Sequence, residues 1–385
     1  MARPLPVAAA PVRRGPAPDD PALKKDTALG LVAGVLRDGG PGFAQFAITN
    51  ACNANCGFCG FAVDALPRDR HVYVDTAEAL AAIDILYAQG VRYLVLVGGE
   101  PLMHRGLFDM LRHARARGMQ SLICSNAALF TDAMLEQLID AGLGSAIMSV
   151  DAVTPEVHEH NRRLPGVCDK IARANEVLRA AGVQTTASVT LSRLVTADLP
   201  RLPEFLASLG FRSVTFSYPL RSLGSSYLSF SDGALVDLTD DELLAAFDQV
   251  NALRGRIHVV NPRASVEEMK RFVRKEPQRF ECYAGWKYYY LDWRLQLYRC
   301  HQWDTPMCSI WEFDGSQRVR DGCTRCMIDC YRDPSVMHHL GISLSDAMGA
   351  LRRGRPLEAA GALFTRDNAA SLGAILGGLG WIRRL

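Results

Sequence analysis

Residues 47–60 read Ala-Ile-Thr-Asn-Ala-Cys-Asn-Ala-Asn-Cys-Gly-Phe-Cys-Gly. They place Cys52, Cys56 and Cys59 in a C-x3-C-x2-C array, directly after an apolar, strand-like run at 43–48. Three thiols this close face one point only if the loop wraps around it, and thiolates converge on a soft metal or an iron–sulfur cluster. Asn53, Asn55, Gly57 and Gly60 suit that wrapping, because they tolerate tight or left-handed backbone. Three ligands on a four-iron cube would leave one iron free for a substrate or cofactor. Spacing alone leaves a structural zinc site as an alternative.

The chain has 385 residues, 49% apolar and 22% charged, with a net charge of +2. That is enough for one large domain or two smaller ones. The charge balance gives no support for nucleic-acid or membrane binding. Residues 1–25 are proline-rich with mixed Arg, Lys and Asp, and read as a disordered arm. No run approaches transmembrane length and no signal-peptide core is present, so the expected setting is the cytoplasm. In a reducing cytosol, eleven cysteines favour metal ligation over disulfides.

From Asp75 onward a rhythm sets in. An acid-capped helix ends at Gly90, and a short apolar strand follows at 92–97. Helices then recur at 107–117, 132–141, 166–181 and 199–209, with strands at 121–124, 146–150, 185–191 and 213–218. Six strands with five helix-sized crossovers predict a parallel α/β sheet, closed or partly closed. In such sheets ligand groups gather at the carboxyl ends of strands. The second strand ends in Gly98-Gly99-Glu100-Pro101, the third in Ser125-Asn126, the fourth in Ser149-Val150-Asp151 and the last in Tyr218-Pro219-Leu220-Arg221. Two glycines permit close backbone approach to a ligand, and Glu100 is suited to an ammonium. Turn formation or helix capping would use the same residue types. His158 and His160 read as solvated surface residues.

Residues 221–280 form a connector: a Ser- and Gly-rich loop at 222–232, then helices at 239–254 and 262–275. A second cysteine set occupies 281–332: Cys282, Cys300, Cys308, Cys323, Cys326 and Cys330. Strands at 288–291 and 295–298 predict a hairpin that brings Cys282 near Cys300. Cys323-Thr-Arg-Cys326 is a C-x2-C knuckle able to place two thiolates on one metal. Cys124 and Cys168 read as buried small hydrophobes. In the tail, 333–385, the apolar close at 371–385 is expected to pack on the domain.

The first cysteine array, with aromatic Phe58 before its last thiol, resembles the signature of the radical S-adenosylmethionine superfamily. The resemblance implies a partial (β/α)6 barrel of parallel strands at 40–220. It implies a 4Fe-4S cluster on Cys52, Cys56 and Cys59, with S-adenosyl-L-methionine chelated at the open iron. Reduction would release a deoxyadenosyl radical that abstracts a substrate hydrogen. Gly98, Gly99, Glu100 and Pro101 resemble the family's GGEP turn at the methionine amino end. Ser125, Asn126, Ser149 and Asp151 match polar strand ends that reach the ribose and methionine. In the segment 158–163 an arginine is expected to pair with the cofactor carboxylate; the residues do not separate Arg162 from Arg163, and Arg163 is assigned. The second set resembles the twitch form of the SPASM region, implying an auxiliary 4Fe-4S cluster on Cys282, Cys300, Cys323 and Cys326. Cys330 is kept as a further metal ligand, and zinc stays open for this set. The hairpin departs from the pattern: Leu295 stands near where a glycine is usual. The expected activity is oxidation (dehydrogenation) or crosslinking, tilted towards a small molecule over a peptide, with a reducing donor such as flavodoxin or ferredoxin. Epimerisation or adenosyl transfer is the runner-up. A non-enzymatic zinc-binding module and an electron-transfer iron–sulfur protein are the rivals outside that class.

Overall fold

The expected alternation is present, with two unforeseen additions at the sheet edges. The computed structural model describes residues 28–219 and 233–382. The proline-rich arm and the 222–232 loop lie outside the described residues, as do Leu220 and Arg221. Strands β1 (Gly42–Thr49), β2 (Val91–Gly98), β3 (Gln120–Ser125), β4 (Ser145–Ser149), β5 (Gln184–Thr190) and β6 (Ser213–Ser217) are the six predicted ones. Their crossovers carry α2 (Thr76–Ala88), α3 (Leu107–Ala116), α4 (Asp132–Asp140), α5 (Pro155–Arg162), α6 (Val167–Ala180), α7 (Arg193–Thr196) and α8 (Leu202–Ser208), and α1 (Ala28–Asp38) precedes them. After β6 come α9 (Gly233–Val236), α10 (Asp240–Ala252), β7 (His258–Val259), α11 (Arg263–Val273), β8 (Tyr288–Leu291), β9 (Gln296–Tyr298) and β10 (Cys308–Ser309). The chain closes with α12 (Asp329–Arg352), α13 (Pro356–Leu363) and α14 (Arg366–Ile382).

The strands form one sheet in the order β10-β9-β8-β1-β2-β3-β4-β5-β6-β7. β1 to β7 run parallel, and β8 adds a parallel partner to the free edge of β1. β9 and β10 then turn back antiparallel. The predicted hairpin is therefore not a separate lobe but a continuation of the barrel sheet. Its turn explains the missing glycine. Leu295 adopts φ 59, in the left-handed region a glycine would enter without strain. Asp292 holds the turn, its Oδ1 accepting from the backbone of Arg294 and Gln296 at 2.8 and 2.9 Å.

The outward faces of β1–β6 are sealed under helices by residues such as Phe46, Ile48, Leu96, Ile123, Met148 and Phe216. Their inward neighbours differ. Cys124, Ile147, Ser149, Ser188, Thr190 and Ser217 each retain partial exposure inside the sheet. Registers Cys124↔Ile147, Ser149↔Ser188 and Thr190↔Ser217 put them on one concave face. These strands alternate instead of being apolar on both faces, and the barrel has a polar, accessible lumen. The first turn of α12 touches both the end of β6 and strand β1. Asp329 accepts from the Tyr218 N–H at 3.1 Å, and Tyr331 stacks on Phe43 with ring centroids 5.8 Å apart.

Candidate functional site at the carboxyl rim of the sheet

The cysteine loop follows β1 and is clamped to the turn after β2. The Gly99 N–H donates to Thr49 O at 3.0 Å, and the Glu100 N–H to Ala51 O at 2.8 Å. A Cβ on Gly98 would lie 2.1 Å from Thr49 O, and one on Gly99 would lie 2.2 Å from Ala51 O. The two glycines thus admit the backbone of the cysteine loop, where the sequence suggested a ligand. Pro101 starts a short 3-10 turn, and Phe58 is buried.

Glu100 is fully buried. Its carboxylate accepts from Ser125 Oγ at 2.8 Å, from the Asn126 N–H at 2.8 Å and from the Leu102 N–H at 3.2 Å. Burial pushes its pKa up to about 7 against those three donors. Glu100 therefore brackets the ends of β2 and β3. Ser125 serves that bracket. Asn126 reaches the cysteine loop, its Nδ2 donating to Asn53 Oδ1 at 2.8 Å and lying 3.7 Å from Cys52 Sγ.

The arginine assignment changes. Arg163 is two-thirds exposed and pairs with Asp64 at 2.7 Å; Asp64 in turn holds Asn55 of the cysteine loop. Arg162 is the buried one. Its guanidinium pairs with both Asp151 oxygens at 2.7 Å. Asp151 also accepts from Asn161 Nδ2 at 2.9 Å. Burial alone would raise Asp151, but Arg162 holds it below the usual range. Burial would depress Arg162, yet Asp151 and the thiols of Cys56 and Cys52 keep it raised and charged. His158 is buried rather than solvated; its Nδ1 accepts from the Asp151 N–H at 3.1 Å, and burial drops its pKa to about 4. His160 is exposed, as expected. The missed signal was spacing: His158 and Arg162 stand i, i+4 on a helix begun by Thr154-Pro155 and share one face.

Cys52, Cys56 and Cys59 lie within electrostatic reach of one another. Burial raises all three thiols, Cys52 to about 11 and Cys59 to about 12, while Arg162 pulls each back. Buried thiols deprotonate when they gain positive charge, so this donor set fits a thiolate-bound metal cluster. Among the described residues, no three His, Cys, Asp or Glu side chains converge as ligands of a single ion do.

The second set divides. Cys282, Cys300, Cys323 and Cys326 act on one another, and the Cys282 N–H donates to Cys323 O at 2.8 Å. Arg332, fully buried, lowers Cys282 and Cys326 and donates to Phe280 O at 2.6 Å. Cys330 does not join them. It lies near Gln45, Asp329 and Cys124, in the first turn of α12, while Cys326 precedes the helix. Cys308 lies on β10 near Glu312 and Asp314. Cys124, expected as a buried small hydrophobe, is partly buried and packs against the core from β3. Cys168 is buried at the start of α6, with its thiol facing Glu159.

A cavity of about 1070 Å³ lies at the opposite end of the sheet, against the starts of β5 and β6. The polar lumen under the cysteine loop is the chemically furnished space.

The carboxyl rim of the parallel sheet thus gathers three thiols and a buried guanidinium on one loop cluster. Residues 46–202 match the Radical SAM superfamily. The AdoMet-dependent heme synthase of Oleidesulfovibrio alaskensis is 29% identical over 160 residues, 41% of this chain and 41% of that protein. The PqqA peptide cyclase of Granulibacter bethesdensis is 27% identical over 164 residues, covering 42% and 43%. The match spans less than half the length of either relative. Among solved structures, native anSMEcpe with bound AdoMet aligns over 89% of this chain and 98% of its own, with TM-score 0.52 and 13% identity, a likeness of fold. Among the described residues, no helix is long and apolar enough to cross a membrane.

Proposed function

We propose that this protein is a radical S-adenosylmethionine enzyme. In this reading Cys52, Cys56 and Cys59 hold a 4Fe-4S cluster, and the lumen holds one substrate C–H bond. The observation that carries it is the three-thiol loop, clamped to the Gly98–Pro101 turn and set over a polar lumen. When bound, the cluster and S-adenosylmethionine supply a deoxyadenosyl radical on one-electron reduction.

The chain's residues bind, orient and shield. Asn126 supports Cys52, Arg162 offsets the negative charge of the thiolates, and Glu100 fixes the loop by holding two strand ends. Ser149 and Ser188 line the lumen with hydroxyls. Radical family members imply both cofactors, and the relatives' names span small-molecule and peptide chemistry.

Cys282, Cys300, Cys323 and Cys326 are assigned to an auxiliary 4Fe-4S cluster of twitch type, at 281–332. They adjoin the lumen through the first turn of α12, which supports an exit for the electron left after hydrogen abstraction. Oxidation or crosslinking of a small molecule or peptide is therefore the leading reaction, with flavodoxin or ferredoxin as donor in the cytoplasm. Epimerisation is the second reading. The test is anaerobic, reconstituted protein with dithionite and S-adenosylmethionine. Deoxyadenosine should form, and the Cys52/Cys56/Cys59 triple alanine variant should make none. A colourless zinc protein, or an intact brown cluster with repeated absence of deoxyadenosine, would overturn the reading.

A further inference from the structure

The C-terminal helices turn large apolar side chains outward. Of the nine large hydrophobic side chains exposed among the described residues, five fall between 351 and 376, and the two most exposed are Leu357 and Phe364, at 87% and 89%. α13 packs on α12 through Ala359, which meets Ala347 and Ala350, with Ala362 and Leu363 partly buried beside them. Its outward face is Leu357, Ala360 and Gly361, with Phe364 at the C-cap, at i, i+3, i+4 and i+7. The inner face is mostly alanine while the outer face carries a leucine and a phenylalanine, the reverse of a helix that only covers a core. The corner presenting this face is fastened. Asn368 Nδ2 donates to Ala362 O and Leu363 O at 2.8 Å each, tying the start of α14 to the end of α13. Ser371 Oγ ties α14 to α12, donating to Met337 O at 3.1 Å.

Positive charge gathers at the same place. Residues 351–385 hold six arginines and two acids, in a chain whose net charge is only +2. Arg352, Arg353 and Arg355 precede α13, Arg366 follows it, and all four are exposed. Both acids are engaged: Glu358 pairs with Arg353 at 3.6 Å and Arg355 at 3.3 Å, and Asp367 pairs with Arg279. The charge balance of the whole chain conceals this concentration.

We propose that α13 seats the protein on an anionic lipid bilayer, with Leu357 and Phe364 entering the headgroup–acyl boundary and the flanking arginines meeting lipid phosphates. The proposal stands independently of the radical reading. Apolar insertion and arginine attraction are each modest, and reversible peripheral binding draws on both. With 8 residues, α13 lies in the interface rather than crossing it. The arginines favour lipid over a second copy of the chain, because a two-fold contact sets a patch against itself and would bring like charges together. A nucleic acid would engage the arginines but leave the leucine and phenylalanine in water.

The test is flotation of full-length protein with phosphatidylcholine vesicles, with and without about one-third phosphatidylglycerol. Wild type should float with the anionic vesicles and stay down with phosphatidylcholine alone. It should be released in about 1 M salt, where the Debye length falls to about 3 Å. Leu357→Ser/Phe364→Ser should bind anionic vesicles at least roughly tenfold more weakly. Its urea midpoint should match wild type, since neither side chain is buried. Arg352→Gln/Arg366→Gln, which leaves the Glu358 pairs in place, should also weaken binding and flatten its salt dependence. Equal flotation with both vesicle types, no flotation of wild type, or serine substitutions without effect overturn the proposal. A wild-type dimer that fails to float and dissociates in the serine variant assigns the face to a second copy, and overturns it as well.

Discussion

The two cysteine regions differ in how they are built. The first trio spans 52–59 and needs only one loop to close. The second draws Cys282, Cys300, Cys323 and Cys326 from four segments, held together by the hairpin, by the Cys282–Cys323 backbone bond and by Arg332. Each has one buried arginine beside its thiols, Arg162 in one case and Arg332 in the other. The first is a local motif supported by long-range brackets; the second is itself a product of tertiary structure. The lesson is that thiol spacing announces a site only when loop closure is short.

The largest effect expected from that contrast is on cofactor cleavage. Cys52→Ala should abolish deoxyadenosine formation. Cys300→Ala should leave it measurable while removing roughly half the iron, as expected for one of two four-iron sites. Product chromatography and iron counting on the same samples decide this. If both variants lose all iron, the two regions are one cooperative unit and the comparison fails.

The two adjacent arginines come next. Arg162→Ala leaves Asp151 buried and unpaired, which costs about 3–5 kcal/mol. Arg163→Ala breaks an exposed pair and should cost at most about 1 kcal/mol. Urea midpoints at pH 7 separate them. Equal losses would mean that the outer brace through Asp64 and Asn55 matters as much as the buried pair.

Much of this frame was legible in the residues. The helix–strand alternation is written in contiguous residues and is present, and the first cysteine loop follows β1 as its spacing in the sequence suggests. The edge strands β7 and β10 were obscured because each has only two residues; the hairpin strands β8 and β9 are visible in the residues, but not that β8 pairs with β1, some 240 positions away. Arg162 and Arg163 are chemically identical in sequence, and only the helix face of α5 tells them apart. The glycines of the Gly98–Pro101 turn were rightly marked as a close approach, but the approaching partner is backbone. Cys330 shows the same limit, since its distance in sequence from Cys326 says nothing of which side of α12 it faces.

The turn that clamps the first loop offers a sharper cut. Gly99→Ala would force a Cβ to 2.2 Å from Ala51 O, backbone that cannot swing aside. Loss of roughly 2–3 kcal/mol is expected, together with poor cluster retention. Gly90→Ala meets open space and carries only the cost of its φ of 86, about 1–2 kcal/mol. Absorbance of the reconstituted cluster, read beside the unfolding midpoint, distinguishes local damage at the site from general destabilisation.

The smallest expected effect contrasts two buried aspartates. Asp151 has a guanidinium partner and stays charged. Asp333 has the neutral amide of Asn261, whose Nδ2 donates to it at 2.6 Å, and burial pushes its pKa from 3.8 up to about 8. The folded state therefore holds a proton that the unfolded chain has already released between about pH 4 and pH 8. Stability should fall as pH rises through that window and level off above it. Asp333→Asn keeps the amide-like neutral shape and removes the titration. It should match wild type near pH 4 and exceed it near pH 9, where wild type carries a buried charge. Parallel stability profiles for the two proteins would mean that Asp333 ionises without penalty, with the first turn of α12 open to water.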